Sequence, residues 1–128
     1  MNRWIVAMLA AGVLAAGAAE AYASTVKYPT HFVQFKLQSS SGKRTFSGQI
    51  NSSSSKCLNG RTVKVIRKYN GNQSTLGKDN TNSKGKFSVA LSSGQVKNGS
   101  YYAKVGSKKY DNGDKVCNSA QSGTIKVS

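Results

Sequence analysis

Cationic side chains dominate the chemistry open to this chain. Nineteen Lys and Arg stand against 4 Asp and Glu, with one His and two Cys, over 128 residues. Two groups of cations are locally dense, Arg61/Lys64/Arg67/Lys68 and Lys104/Lys108/Lys109. With Lys64 and Lys104 pointing outward on their strands, they line one sheet face together with Tyr102. A basic face carrying an aromatic suits a sugar or a base on an anionic polymer. These eight residues are the candidate polyanion-binding set, and the partner expected is an anionic polysaccharide or a cell-surface polymer. The competing account is that Lys fills solvent-facing strand positions, where it keeps a β protein soluble and blunts its edges.

Catalysis lacks its parts. Hydrolysis needs an acid and a base or nucleophile held together. The only candidates past the leader are His31, Asp79, Asp111 and Asp114, with no Glu. Asp111 and Asp114 fall in an Asp-Asn-Gly-Asp turn, where their side chains are expected to cap backbone amides. Asp79–Gly85 is rich in oxygen ligands, yet it has one carboxylate where a calcium loop needs several, so it reads as a hairpin turn. No glycine loop for phosphate, no cofactor fingerprint and no nucleic-acid motif is present. The expectation is a non-enzymatic protein without metal or cofactor.

Asn2-Arg3 followed by the apolar stretch Trp4–Ala19 and by Ala21-Tyr22-Ala23 is the pattern of an export signal, cleaved before Ser24. A signal-peptide helix is thus expected over residues 1–23, a tether over 24–30 and a single domain over 31–128. Cleavage removes one base, Arg3, and one acid, Glu20, which leaves 18 cations against three Asp. No second apolar stretch follows, so no membrane anchor is expected after cleavage. The location implied is secreted, or periplasmic in a host with an outer membrane. Outside the cytosol two thiols pair, so Cys57 and Cys117 are expected to form a structural disulfide.

The elements that must position these residues are strands. His31–Leu37, Thr45–Ile50, Arg61–Tyr69, Lys86–Leu91, Ser100–Val105, Lys108–Tyr110 and Gly123–Val127 alternate apolar and polar residues, bounded by Gly, Asn and Ser. About seven short strands with one apolar face each predict an all-β, antiparallel, two-sheet sandwich of the transthyretin-like or immunoglobulin-like kind.

Four segments follow one another in order: Gly48-Gln49-Ile50, Gly60–Val65, Thr81–Val89 and Gly99–Val105. In this series the chain resembles the carboxypeptidase-regulatory-like and collagen-adhesin B-type domains, over roughly residues 34–128. The resemblance implies a transthyretin-like (prealbumin-like) sandwich and an extracellular accessory or adhesion role. Adhesin domains of this type often carry a Lys–Asn/Asp isopeptide assisted by a buried acid. Here the position after Thr81 is Asn82 and no Glu follows the leader, so the disulfide is expected to take the stapling role. The function expected is binding of anionic extracellular polymers through the basic surface. The alternative is a structural or assembly module whose charge serves solubility alone.

Overall fold

The computed structural model describes residues 25–128; the expected signal segment and its cleavage point lie outside them. Among the described residues the regular structure is β throughout, apart from two single-turn 3-10 helices at Ser55–Cys57 and Ser93–Gln95. The strands are β1 (Val26–Tyr28), β2 (Thr30–Ser40), β3 (Lys43–Ser52), β4 (Thr62–Tyr69), β5 (Asn72–Asn80) and β6 (Lys86–Ser92). They continue as β7 (Gly99–Val105), β8 (Lys108–Tyr110), β9 (Lys115–Cys117), β10 (Ala120–Gln121) and β11 (Ile125–Val127).

One sheet runs β2-β3-β6, and the second runs β10-β7-β4-β5 with β11 also paired to β7. The inward positions follow the alternation of the sequence. Phe46 and Ile50 on β3, Phe87, Val89 and Leu91 on β6, Val63 and Val65 on β4, and Tyr101, Ala103 and Val105 on β7 are all buried. They form two adjoining clusters, one around Phe46 and Tyr101 and one around Ile50 and Phe87, and Phe35 packs against both. Phe46 of the first sheet stacks on Tyr101 of the second at 5.1 Å between ring centroids. Each such side chain contributes roughly 1.5–3 kcal/mol through the area it removes from water.

Two-residue hairpins set the register. Ser41-Gly42 joins β2 to β3 and Asn70-Gly71 joins β4 to β5, each with both residues at positive φ. That backbone matches the right-handed twist of the flanking strands. Gly48 faces inward on β3, where an added Cβ would lie 2.1 Å from the Gln34 carbonyl and 2.9 Å from the Phe87 ring. Gly48→Ala is therefore expected to cost about 2 kcal/mol, at the strain of an overpacked core. A guanidinium melt of the variant, its midpoint shifted at constant m, measures it.

Four expectations are corrected. The described chain has eleven strands rather than about seven, and a third small sheet, β1-β9-β8, joins the two that pack together. The segment expected as a tether carries β1, which pairs in parallel with β9 over Val26–Tyr28. Asn72–Asn80, which falls between the expected strands Arg61–Tyr69 and Lys86–Leu91, is a full strand paired along β4. Asp79–Gly85 is not a hairpin, because β5 and β6 lie in different sheets and the chain crosses between them here. There Asn82 Oδ1 accepts the Lys84 and Lys86 amides, which turns the chain into β6.

Cys57, in the turn after β3, is bonded to Cys117 on β9, with the two Cα atoms 5.5 Å apart. This bridge ties the small sheet to the sandwich. Tyr110 adds to the same join: its ring stacks on Tyr28 at 6.4 Å, its hydroxyl lies 3.1 Å from Ser54 Oγ, and Lys56 Nζ sits 5.5 Å from its centroid.

A lysine face on the second sheet as candidate functional site

The strand register assembles the basic face row by row. Lys64 on β4 stands opposite Lys78 on β5 and opposite Lys104 on β7. Gln121 on β10 extends the row beside Lys104. All three lysines are exposed. Neighbouring strands lie about 4.8 Å apart, so the row spans about 10 Å of sheet surface. That is comparable to the ~8 Å screening length at physiological salt, so the three charges feel one another.

Two more lysines share the face. Lys68 on β4 is opposite Gln73 on β5 and Ser100 on β7, and Ser100 is opposite Lys126 on β11. Between the lysine rows, Ile66 is opposite Thr75 and Tyr102. Ile66 and Tyr102 are 8% and 7% exposed, although neither belongs to the core clusters. Long flanking side chains cover apolar neighbours in this way while their charged ends stay wet. The Tyr102 hydroxyl donates to Gln73 Oε1 at 2.9 Å, which fixes the ring within the face.

Among the described residues no Asp or Glu side chain lies on this face. Asp79 stands opposite Val63, on the inward side of β5, and its Oδ2 accepts the Ser88 amide of β6 at 2.9 Å. Asp111 and Asp114 sit in the β8–β9 turn. Asp111 Oδ2 meets Lys115 Nζ at 3.3 Å, the one ion pair among the described residues. That hydrogen bond and charge hold the Lys115 ammonium above its ordinary range. The Asp111 side chain thus pairs a lysine rather than capping backbone amides as expected. His31 is exposed on the edge strand β2.

The eight residues singled out from sequence therefore do not converge. Lys64, Lys68, Lys104 and Tyr102 share the face, with Tyr102 covered rather than presented. Arg61 is removed from it: it is 2% exposed, and its guanidinium is held inside by four oxygen acceptors. Burial pushes that guanidinium below its ordinary value. Arg67 stands opposite Tyr101, on the core side of the sheet. There its guanidinium donates to the Asn98 carbonyl and lies 4.6 Å from the Tyr69 centroid. Lys108 and Lys109 belong to β8 in the small sheet, and Lys108 Nζ donates to the Asn59 carbonyl at 3.2 Å. Sequence reasoning missed Lys78 and Lys126, for want of β5 and of the β11 register.

Among the described residues no three His, Cys, Asp or Glu side chains gather as metal ligands, and no helix is long and apolar enough to cross a membrane. No family model, curated protein or solved structure matches the chain.

Proposed function

We propose that this is a non-enzymatic extracellular binding module that engages anionic polymers through Lys64, Lys78, Lys104, Lys68 and Lys126. One observation carries the reading: three lysines stand directly opposite one another on adjacent strands, with no carboxylate among them. Like charges placed opposite in a sheet are destabilising. Charge that serves only solubility has no need of that register, whereas a polymer laid across the strands offsets the repulsion with its own anions. The mechanism is neutralisation of successive anionic groups and release of their counterions.

The oxidised Cys57–Cys117 pair supports an export route. The strand order supports an immunoglobulin-like choice between the two sandwich types. The sheet of β2, β3 and β6 faces β11, β7, β4 and β5, as strands A, B and E face G, F, C and C′. That order departs from the transthyretin-like sandwich the resemblance implies, so the adhesion-type accessory role is proposed on the four resembling segments alone. Assembly through strand edges is weaker, because a register irregularity between Phe32 and Gln34 interrupts the long edge strand β2.

The test compares two variants of equal net charge. Lys64→Gln/Lys78→Gln/Lys104→Gln removes the row, and Lys43→Gln/Lys84→Gln/Lys97→Gln removes three exposed lysines elsewhere. Binding to immobilised polyanions of matched charge density is read across a salt series. The row variant is expected to lose affinity by more than tenfold, and its slope of log K against log salt to flatten by about 2–3. Equal losses in the two variants would leave bulk charge as the only agent and sink the proposal.

A further inference from the structure

The outer face of the other sheet carries a different kind of surface. Its rows, read across β2, β3 and β6, are Gln34–Gln49–Lys86 and Lys36–Ser47–Ser88. The segment Asp79–Asn82 stands beside them as a wall, tied down where Asp79 accepts the Ser88 amide. Floor and wall border an open, half-polar cleft of about 440 Å³ lined by Gln34, Lys36, Ser47, Asn82, Lys86 and Ser88 among others. That volume is in the range of small-ligand sites.

Its chemistry is unlike that of the lysine face. The floor between the two cations is hydroxyl and amide. Ser47 Oγ is shielded from water and has no hydrogen-bond partner, the single such side-chain atom among the described residues. Buried polar atoms are paired as a rule, so this hydroxyl keeps unused hydrogen-bonding capacity at the floor of the cleft. Asn82 has its oxygen committed to two amides, so its remaining capacity is donation. Lys36 and Lys86 stand on β2 and β6 with β3 between them, and neither has a carboxylate partner among the described residues. The one carboxylate in the wall, Asp79, already accepts a backbone amide.

The cleft is thus rich in donors, with cations at two rims and hydroxyl and amide groups between. We propose that it binds an acidic sugar, a pyranose whose carboxylate meets a rim lysine and whose hydroxyls meet Ser47, Ser88 and the amides. A simple inorganic anion would use one rim and leave the floor idle. A neutral sugar would use the floor and leave the rims idle. This site is separate from the lysine face. Asp79 and Lys78 are neighbours in β5 but take opposite sides of it, so the two surfaces can be removed independently.

The experiment is an amide-shift titration of the oxidised full domain by nuclear magnetic resonance. The probes are a linear uronic-acid tetrasaccharide, a neutral tetrasaccharide of the same linkage, and acetate at equal carboxylate concentration. The uronic probe is expected to give saturating shifts at Ser47, Lys86 and Ser88, with the neutral probe about tenfold weaker, a difference near 1.4 kcal/mol. Lys36→Gln/Lys86→Gln should erase that preference while leaving the neutral sugar unchanged. The lysine-row variant should keep the full response, so loss of polymer binding there does not touch this site. Acetate saturating the same amides with equal affinity would reduce the cleft to an anion site and overturn the proposal. So would shifts confined to the lysine face, or no saturating shift in the cleft.

Discussion

Arg61→Met is expected to destabilise the domain by about 4 kcal/mol, more than any change on the lysine face. Arg61 is 2% exposed, and its guanidinium reaches four separate parts of the chain. It donates to Thr30 Oγ1 at 3.1 Å, the Cys57 carbonyl at 2.8 Å, the Gly106 carbonyl at 2.8 Å and the Asn118 carbonyl at 3.0 Å. These are the start of β2, the disulfide turn, the link from β7 to β8 and the link from β9 to β10. A hydrogen bond from a charged donor contributes roughly 1.5–3 kcal/mol, and each buried acceptor left unpaired costs about 1–3 kcal/mol. Two effects reduce the sum. Burying a cation without a counter-ion already weakens the native state, and water reaches the partly exposed Gly106 and Asn118 carbonyls in the variant. Methionine keeps an apolar stem of similar length, so the loss reports the hydrogen bonds more than the packing.

For a domain of this size the thermal midpoint should fall by about 15–30 °C. Arg61→Lys should recover only part of the loss, because one ammonium cannot span four acceptors. Lys64→Met, on the exposed face, should stay within about 0.5 kcal/mol of the parent. Calorimetry of the three variants measures this. A midpoint for Arg61→Met within a few degrees of the parent would show that water replaces the guanidinium at little cost.

Arg61 also marks the limit of what the sequence reveals. A guanidinium beside Lys64, Arg67 and Lys68 reads as part of a basic patch, because arginine is mostly exposed. Only the closing of four distant segments around it makes it internal, and no local pattern records that. The strands that fill the core are a different matter. Val63/Val65, Phe87/Val89/Leu91 and Tyr101/Ala103/Val105 alternate so plainly that element type and inward face follow from the residues alone. Strand β5 hides for a physical reason. Its inward positions opposite Val65 and Val63 are Gly77 and Asp79. Gly77 is where an added Cβ would lie 2.7 Å from Val89 Cγ1, so close packing forbids an apolar side chain there. Asp79 serves a backbone amide of β6. The strand therefore shows no alternation, and Lys78, the outer member of the lysine row, disappears with it. Of the small sheet only β8, Lys108–Tyr110, is legible; β1 and β9 are hidden for another reason. The sheet's strands are three residues each and are held by the disulfide, by Tyr110 and by Arg61, none of which is periodic.

Loss of the disulfide should cost about as much as loss of Arg61. Cys57 and Cys117 are 60 residues apart in sequence. Releasing a loop of that length from the unfolded chain's constraint costs about 4 kcal/mol in the chain-entropy account. Cys57→Ala/Cys117→Ala, or full reduction, is therefore expected to lower the thermal midpoint by about 15–30 °C. A shift of only a few degrees would mean that native-state contacts, not chain entropy, set the stability of this join. The two clamps also act on the same segments. Arg61 binds the Cys57 carbonyl itself and the carbonyl of Asn118, the residue after Cys117. With the bridge cut, the segment carrying Asn118 is free to move away, and the guanidinium then holds less than before. The combined variant should accordingly lose less than the sum of the separate losses, with a coupling of about 1–2 kcal/mol. Losses that add within about 0.5 kcal/mol would show two independent clamps. The lysine rows should be indifferent to either change while the sandwich stays folded, since β4, β5, β7 and β11 take their register from one another. Polyanion affinity per folded molecule in the disulfide-free variant then separates what the small sheet does for stability from what the lysine face does for binding.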